Sequence, residues 1–286
     1  MSEILYGSAA ADALRESLRG RIEALKGAGI SPRLALVRVG ENPGSLSYQR
    51  STLRACEAMG IAVEGRFFPA ACTTDELVRC LRLLSADASI HGCLLLRPLP
   101  EGIDEQAASE AIAPEKDVDG VTSQSLRRLF VGYGAGHCPC TPEAVIRLLD
   151  HYRIPLEGRR VTIVGRSLIV GKPLALLLTG RNATVTLCHT RTHSLDARCR
   201  EADILISAAG SAGLIGPEFV RAGQTVVDVG TNLNAAGKLC GDVQFEAVAP
   251  LVDAVTPVPG GVGAVTTTVL LEHVVTACEK VASRRS

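Results

Sequence analysis

The chain has 286 residues, enough for two α/β domains of ordinary size, with one large α/β domain as the alternative. Apolar residues make up 47% and charged residues 21%, and 30 Lys+Arg balance 30 Asp+Glu, so no overall field draws nucleic acid or a membrane surface. The opening MSEILYGSAAADALRESL carries acids and reads as an amphipathic helix rather than a secretory leader, and no uncharged apolar run is long enough to cross a bilayer; a cytoplasmic protein is expected.

Leu14, Leu18, Ile22 and Leu25 fall at helical spacing over 8–26, and RLALVRV (33–39) reads as a buried strand. After the turn at 40–44 comes a helix capped by Ser45 or Ser47, with Tyr48, Thr52, Cys56 and Met59 on one face. Thr73 and Glu76 form a capping box ahead of Leu77, Leu81 and Leu84. CLLLRPLP (93–100) is a continuous apolar strand stopped by Pro98 and Pro100. Thr141 suits an N-cap and Pro142 the first helical position of EAVIRLLDHY, and a domain boundary is placed here.

From Arg159 the pattern alternates faster: strand RVTIVG, helix from about Val170, strand ATVTLC, helix near 194–200, strands ADILISAA and QTVVDVG, then Ala254-Val255-Thr256 before a Gly/Pro loop. This spacing predicts a parallel, doubly wound sheet. The segment TTVLLEHVVTACEKVA is a helix that packs back on the first domain. The expected division is 1–140 plus 268–286 for an N-terminal α/β domain, and 141–267 for a Rossmann-type domain.

Of the ten cysteines, Cys56, Cys80, Cys93, Cys188 and Cys278 sit in apolar periodic segments, where a reduced thiol packs as a small hydrophobe. His137-Cys138-Pro139-Cys140 looks like half of a zinc site, but no second Cys/His pair stands at usable spacing, and no metal is expected.

Strand RVTIVG runs into Gly165-Arg166-Ser167 and Val170-Gly171-Lys172-Pro173, placing glycines where a βα turn brings backbone N–H groups onto a pyrophosphate. The spacing is not G-x-G-x-x-G, and such a turn by itself is often only a tight turn. An NAD site carries an acid about twenty residues further on. Here the next strand ends in Cys188-His189-Thr190-Arg191-Thr192, and hydroxyls with a guanidinium suit a 2′-phosphate, so NADP is favoured and NAD is the alternative. Asp228-Val229-Gly230-Thr231-Asn232 closes a later strand at the same edge.

Tyr48 within VGENPGSLSY, Arg54-Ala55-Cys56-Glu57, Lys116-Asp117-Val118-Asp119-Gly120, Pro139-Cys140-Thr141-Pro142, the 165–173 loop and Thr256-Pro257-Val258-Pro259-Gly260-Gly261-Val262-Gly263 stand in one order. In that order the chain resembles the methylenetetrahydrofolate dehydrogenase/cyclohydrolase family from about residue 3 to 280. The resemblance implies a homodimer of two-domain subunits, with a tetrahydrofolate one-carbon derivative held in a cleft between a catalytic domain and a Rossmann domain. It gives Tyr48 as the ring over which folate lies and Asp119 as the carboxylate that accepts from the pterin. Pro259, Gly260, Gly261 and Gly263 match the loop near substrate and nicotinamide. Gly165, Arg166, Ser167, Thr190, Arg191 and Thr231 match the cofactor side.

The departures fall on the chemistry. Family members place a lysine one turn after the tyrosine, where this chain has Thr52, and a glutamine before the Pro-x-Pro element, where it has Leu96 followed by Arg97. The family's lysine, held by the glutamine, assists hydrolysis of the methenyl group. Threonine has no titration in the useful range and leucine makes no hydrogen bond. Hydride transfer needs mainly positioning, which supplies roughly 7–11 kcal/mol in favourable cases. Hydrolysis needs proton management worth ~10²–10⁴-fold. Ala264, Val265 and Ser211 are milder departures.

The expectation is therefore an NADP-dependent dehydrogenase with weak or absent cyclohydrolase activity. A conventional bifunctional enzyme, with Arg97 replacing the lysine's charge, is the alternative. Strand alternation argues against that rescue by turning residues 96 and 97 to opposite sides. A non-catalytic folate- or dinucleotide-binding protein and an oxidoreductase with a changed substrate complete the field.

Overall fold

A computed structural model describes residues 2–234 and 236–283. In chain order the elements are β1 (Glu3–Ile4), α1 (Gly7–Gly27), β2 (Arg33–Val39), α2 (Pro43–Met59), β3 (Ala62–Phe68), α3 (Thr74–Ala86), β4 (Gly92–Leu95), α4 (Glu105–Glu110), α5 (Ser123–Val131) and α6 (Cys140–His151). They continue with β5 (Arg160–Val164), α7 (Gly171–Thr179), β6 (Thr184–Cys188), α8 (Leu195–Glu201), β7 (Ile204–Ser207), β8 (Thr225–Asp228), β9 (Asn232–Leu233), β10 (Leu239–Cys240), α9 (Phe245–Val248), β11 (Ala254–Val255) and α10 (Val262–Ser283). Two units result: one is Ala13–Cys140 with the chain from Thr267, the other is the chain up to Asp12 with Thr141–Thr266.

The first unit holds a three-stranded parallel sheet in the order β3-β2-β4. Its middle strand, Arg33–Val39, lies where the apolar run predicts, and Ala35, Val37, Leu77, Leu81, Ile90, Cys93 and Leu95 form one buried cluster. The Thr73–Glu76 capping box forms as expected and starts α3. Three local readings are corrected. Asn42, not Ser45 or Ser47, caps α2, because its Oδ1 accepts from Gly44 N and Ser45 N and Pro43 takes the first helical position. β3 escapes an apolar-run search because AVEGRFF is an edge strand with most side chains in solvent. The strand read over 93–100 stops at Leu95, and the last amide bonded to β2 is that of Leu96, which donates to Val37 O at 2.9 Å before the chain turns into the prolines.

α10 packs on this unit through its second half. Arg21 of α1 donates to both oxygens of Glu279 at 2.9 and 2.7 Å, to Glu272 at 3.3 Å and to Thr276 at 2.8 Å. His273 lies 2.8 Å from Val118 O through Nδ1.

The second unit is a six-stranded parallel sheet in the order β1-β11-β8-β7-β5-β6. Val164, Cys188, Leu205, Val226 and Val255 sit in its main buried cluster. Residues 1–12 fall in this unit, where the sequence reading placed them in the other, because β1 is too short to be seen as a strand and pairs with β11 as Glu3↔Ala254 and Ile4↔Val255. α6 begins at Cys140, so Thr141 sits inside its first turn rather than at the cap. Among the described residues no helix is long and apolar enough to cross a membrane.

Candidate active site

In the second unit β5 is flanked by β6 on one side and β7 on the other, so the chain reverses its direction across the sheet between the carboxyl ends of β5 and β7. Ligands of open parallel sheets bind outside such a reversal. Gly165 lies there with φ +128°, and a Cβ on it would stand 2.2 Å from Ala208 O. A Cβ on Gly171, the first residue of α7, would stand 1.9 Å from Gly165 O. Both glycines are therefore required for the loop to fold back on itself. Ser167 Oγ accepts from Val170 N at 3.0 Å and Gly171 N at 3.4 Å, which closes the turn and leaves its own proton to donate.

Every other sequence-derived residue of this unit also follows the carboxyl end of a parallel strand. Thr190 and Arg191 follow β6, Thr231 follows β8, and Pro259, Gly260, Gly261 and Gly263 follow β11. Arg166, Thr190, Arg191 and Thr231 are exposed. Arg191 N donates to His189 Nδ1 at 3.1 Å, and Thr192 Oγ1 accepts from His189 N at 2.8 Å, so the 189–192 turn is preformed. Gly260 adopts φ +105°, and its carbonyl accepts from Gly7 N at 2.8 Å.

One residue central to this edge was missed. The buried Asp242 carboxylate accepts from Ser207 Oγ, Ala209 N, Gly210 N, Ser211 N and Asn232 Nδ2 at 2.7–3.2 Å, and so shapes the loop after β7. Nothing in its neighbouring sequence marks it, because all five partners are distant in the chain. Asp228, also buried, accepts from Gly230 N, Asp242 N and Val243 N; burial nevertheless pushes its pKa up to about 6.

In the first unit α2 carries Tyr48 and Thr52 one turn apart, the end of β4 supplies Leu96 and Arg97, and the segment after α4 supplies Asp119. Tyr48 is half-buried. Burial, and then the charges of Asp119 and Cys140, hold its phenol proton well above the ordinary range. Arg97 Nη2 lies 3.2 Å from Asp119 Oδ2. Tyr48, Arg97, Asp119 and Cys140 thus form one cluster. Cys140 Sγ lies 3.1 Å from Val118 O and 3.6 Å from His273 Nδ1. His137 packs its ring on His273 at 4.7 Å between centroids, and burial lowers its pKa to about 3.

Thr52 is fully buried, and its hydroxyl has no hydrogen-bond partner among the described residues. Leu96 is buried at 2% exposure. Lys116, the one lysine between Lys26 and Lys172, donates its ammonium to Leu84 O at 3.3 Å and Asp87 O at 2.6 Å. Asp117, next to the expected folate carboxylate, is spent on Val121 N, Thr122 N and Ser125 Oγ.

A parallel sheet that reverses at a glycine turn, in a chain whose other unit clusters a tyrosine, an aspartate and an arginine, defines a two-unit α/β protein of the dinucleotide-binding class. Residues 5–119 match the family described as tetrahydrofolate dehydrogenase/cyclohydrolase, catalytic domain, and residues 139–282 the NAD(P)-binding domain of the same family. A "Bifunctional protein FolD" from Carboxydothermus hydrogenoformans is 46% identical, over 98% of each chain. The crystal structure of the bifunctional FolD enzyme from Campylobacter jejuni superposes with a TM-score of 0.94 at 40% identity, covering 98% of this chain and 99% of that one. The Trypanosoma brucei dehydrogenase-cyclohydrolase, solved with NADP and an inhibitor, gives a TM-score of 0.94 at 33% identity, covering 100% of this chain and 99% of that one. The chain belongs to the tetrahydrofolate dehydrogenase/cyclohydrolase family, and it is an enzyme of this kind.

Proposed function

We propose that the chain oxidises 5,10-methylenetetrahydrofolate to 5,10-methenyltetrahydrofolate with NADP, and that it hydrolyses the methenyl product only weakly. The observation that carries the second clause is the Thr52 side chain: at the lysine position stands a buried hydroxyl with no partner among the described residues, and the glutamine position holds a buried leucine. A threonine hydroxyl does not titrate near neutral pH, and the Arg97 guanidinium is held by two carboxylates.

NADP fits the second unit. The Gly165–Gly171 turn leaves no room for a Cβ, as close backbone approach to a pyrophosphate requires. No acid follows β6, and among the described residues Arg166 and Arg191 form no ion pair that a 2′-phosphate would have to break. Bound there, NADP supplies the acceptor for the electron pair leaving the one-carbon bridge. The protein's own contribution is to hold: Gly165, Arg166 and Ser167 with Thr190, Arg191 and Thr231 take the cofactor, and Pro259, Gly260, Gly261 and Gly263 give bare backbone for close approach. Tyr48 offers a ring face to the pterin and Asp119 a carboxylate to its N–H groups. The solved relative with NADP supports this cofactor. A homodimer is part of the same proposal, and sedimentation of the purified protein tests it.

A second reading, the conventional bifunctional enzyme, is supported more directly by the comparisons, since relatives at 42–47% identity carry bifunctional names. One experiment separates the two. Purified protein is mixed with methylenetetrahydrofolate and NADP or NAD, and methenyl absorbance is followed. With reduced-cofactor absorbance followed alongside, methenyl accumulation with slow decay supports weak hydrolysis; cofactor reduction with little methenyl accumulation establishes the bifunctional enzyme; no cofactor reduction with either NADP or NAD refutes both.

A further inference from the structure

Arg97 has no role in the chemistry above, yet the fold goes to some length to fix it. Ser45 Oγ donates to its carbonyl at 3.1 Å. Its guanidinium bridges two carboxylates, Nη2 to Asp119 at 3.2 Å and Nη1 to Glu105 at 3.4 Å. The Arg97 and Asp119 side chains are only 17% and 21% exposed, so their attraction is screened far less than that of a surface pair. The two arms lie in one plane and reach both acids, which a lysine, as a point charge, does not reproduce.

We propose that Arg97 is a positioning residue for folate: it occupies one carboxylate oxygen of Asp119, Oδ2, so that Oδ1 faces the pterin as the acceptor. The proposal rests on the assignment of Asp119 to the folate ring. The groups around Asp119 pull in opposite directions. Burial favours the neutral acid most strongly and, together with the neighbouring Asp117, holds the Asp119 pKa above the ordinary carboxylate value. Against them stand the charge and hydrogen bond of Arg97 and a hydrogen bond from Cys140. Tyr48 on α2 faces the same carboxylate and carries no charge near neutral pH, and Glu105 on α4 faces only the far arm of Arg97. Arg97 is the sole cation in the set, so the balance turns on it. A neutral Asp119 presents a proton and a weaker acceptor where the pterin N–H groups need lone pairs, and binding weakens.

The test uses the full chain labelled with ¹³C at aspartate carboxyls, with Asp119→Asn assigning the resonance. In Arg97→Gln the Asp119 titration midpoint rises by about one unit or more. The acid limb of kcat/KM for methylenetetrahydrofolate moves up with it, KM rises about tenfold, kcat changes little and NADP affinity stays the same. Arg97→Lys keeps the Asp119 midpoint near that of the parent protein, which a purely structural role for Arg97 does not predict. An unchanged Asp119 midpoint in Arg97→Gln overturns the proposal. If the midpoint shifts while the parent protein forms no methenyl product with either cofactor, Arg97 controls Asp119 as stated and it is the folate assignment that has failed.

Discussion

Replacing Thr52 by valine tests the idea that its hydroxyl is idle. Threonine and valine are nearly isosteric and both branched at Cβ, so the swap exchanges one hydroxyl for one methyl within α2 with little change in volume. A helical threonine ordinarily bonds back to the carbonyl four residues earlier; here the hydroxyl is 0% exposed and has no partner among the described residues. Burying a hydroxyl without a hydrogen bond costs about 1–3 kcal/mol, so Thr52→Val stabilises the protein by that amount. In urea, with a slope of about 1–3 kcal/mol per M, the midpoint of the transition moves up by roughly 1 M. Circular dichroism reads the transition, and methenyl formation read in parallel leaves KM for folate unchanged. A destabilised variant refutes the claim that the hydroxyl is unsatisfied. A stabilised variant whose KM rises tenfold refutes the claim that it is idle, because the hydroxyl then serves the substrate.

Thr52→Lys with Leu96→Gln restores an amine and its hydrogen-bonding neighbour, and methenyl hydrolysis rises by ~10²–10⁴-fold in a stopped-flow decay assay; no rise in a variant that still binds NADP removes proton management as the reason for weak hydrolysis. Gly171→Ala drives a methyl to 1.9 Å from Gly165 O, so calorimetry shows weakened NADP binding with folate binding retained. Arg191→Ala lowers the preference for NADP over NAD by about tenfold without weakening NAD, as expected for loss of a charge-assisted contact to the 2′-phosphate; equal losses for both cofactors assign Arg191 elsewhere. Asp228 has a folded pKa near 6, raised from 3.8, so the folded state binds its proton more tightly and this carboxyl favours folding below pH 4. That contribution, about 3 kcal/mol at most, is lost as pH rises through 6. Asp228→Asn flattens this part of the stability profile, and an unaltered profile in that variant shows that the carboxyl is not the source.

The elements legible in the sequence are those whose burial is one-sided and local. β2, α3 and the β5–α7 turn declare themselves through an apolar run, a capping box and a glycine pair, each within a dozen residues. β3 did not, because an edge strand has no buried face to impose an apolar pattern. β1 did not, because two residues carry no period at all, and only its pairing with β11 places Glu3 and Ile4 in the sheet of the second unit. The site divides the same way. Tyr48, Thr52 and Leu96 stand out because motif order marks their positions. Asp242 is silent, since the amides it holds come from 31 to 33 residues away.

Arg97 shows where sequence reasoning stops. Alternation is a rule for residues inside a strand, and whether β4 reaches residue 97 is settled by its pairing with β2, which ends at Leu95. The sequence by itself determined the family, the parallel sheet and the absence of a lysine after Tyr48, because composition, period and motif order are properties of the chain alone. The tertiary structure decided that the Thr52 hydroxyl has no partner among the described residues and that Arg97 grips Asp119. Both depend on distances between groups that covalent order leaves free, and electrostatic and hydrogen-bond energies are functions of those distances.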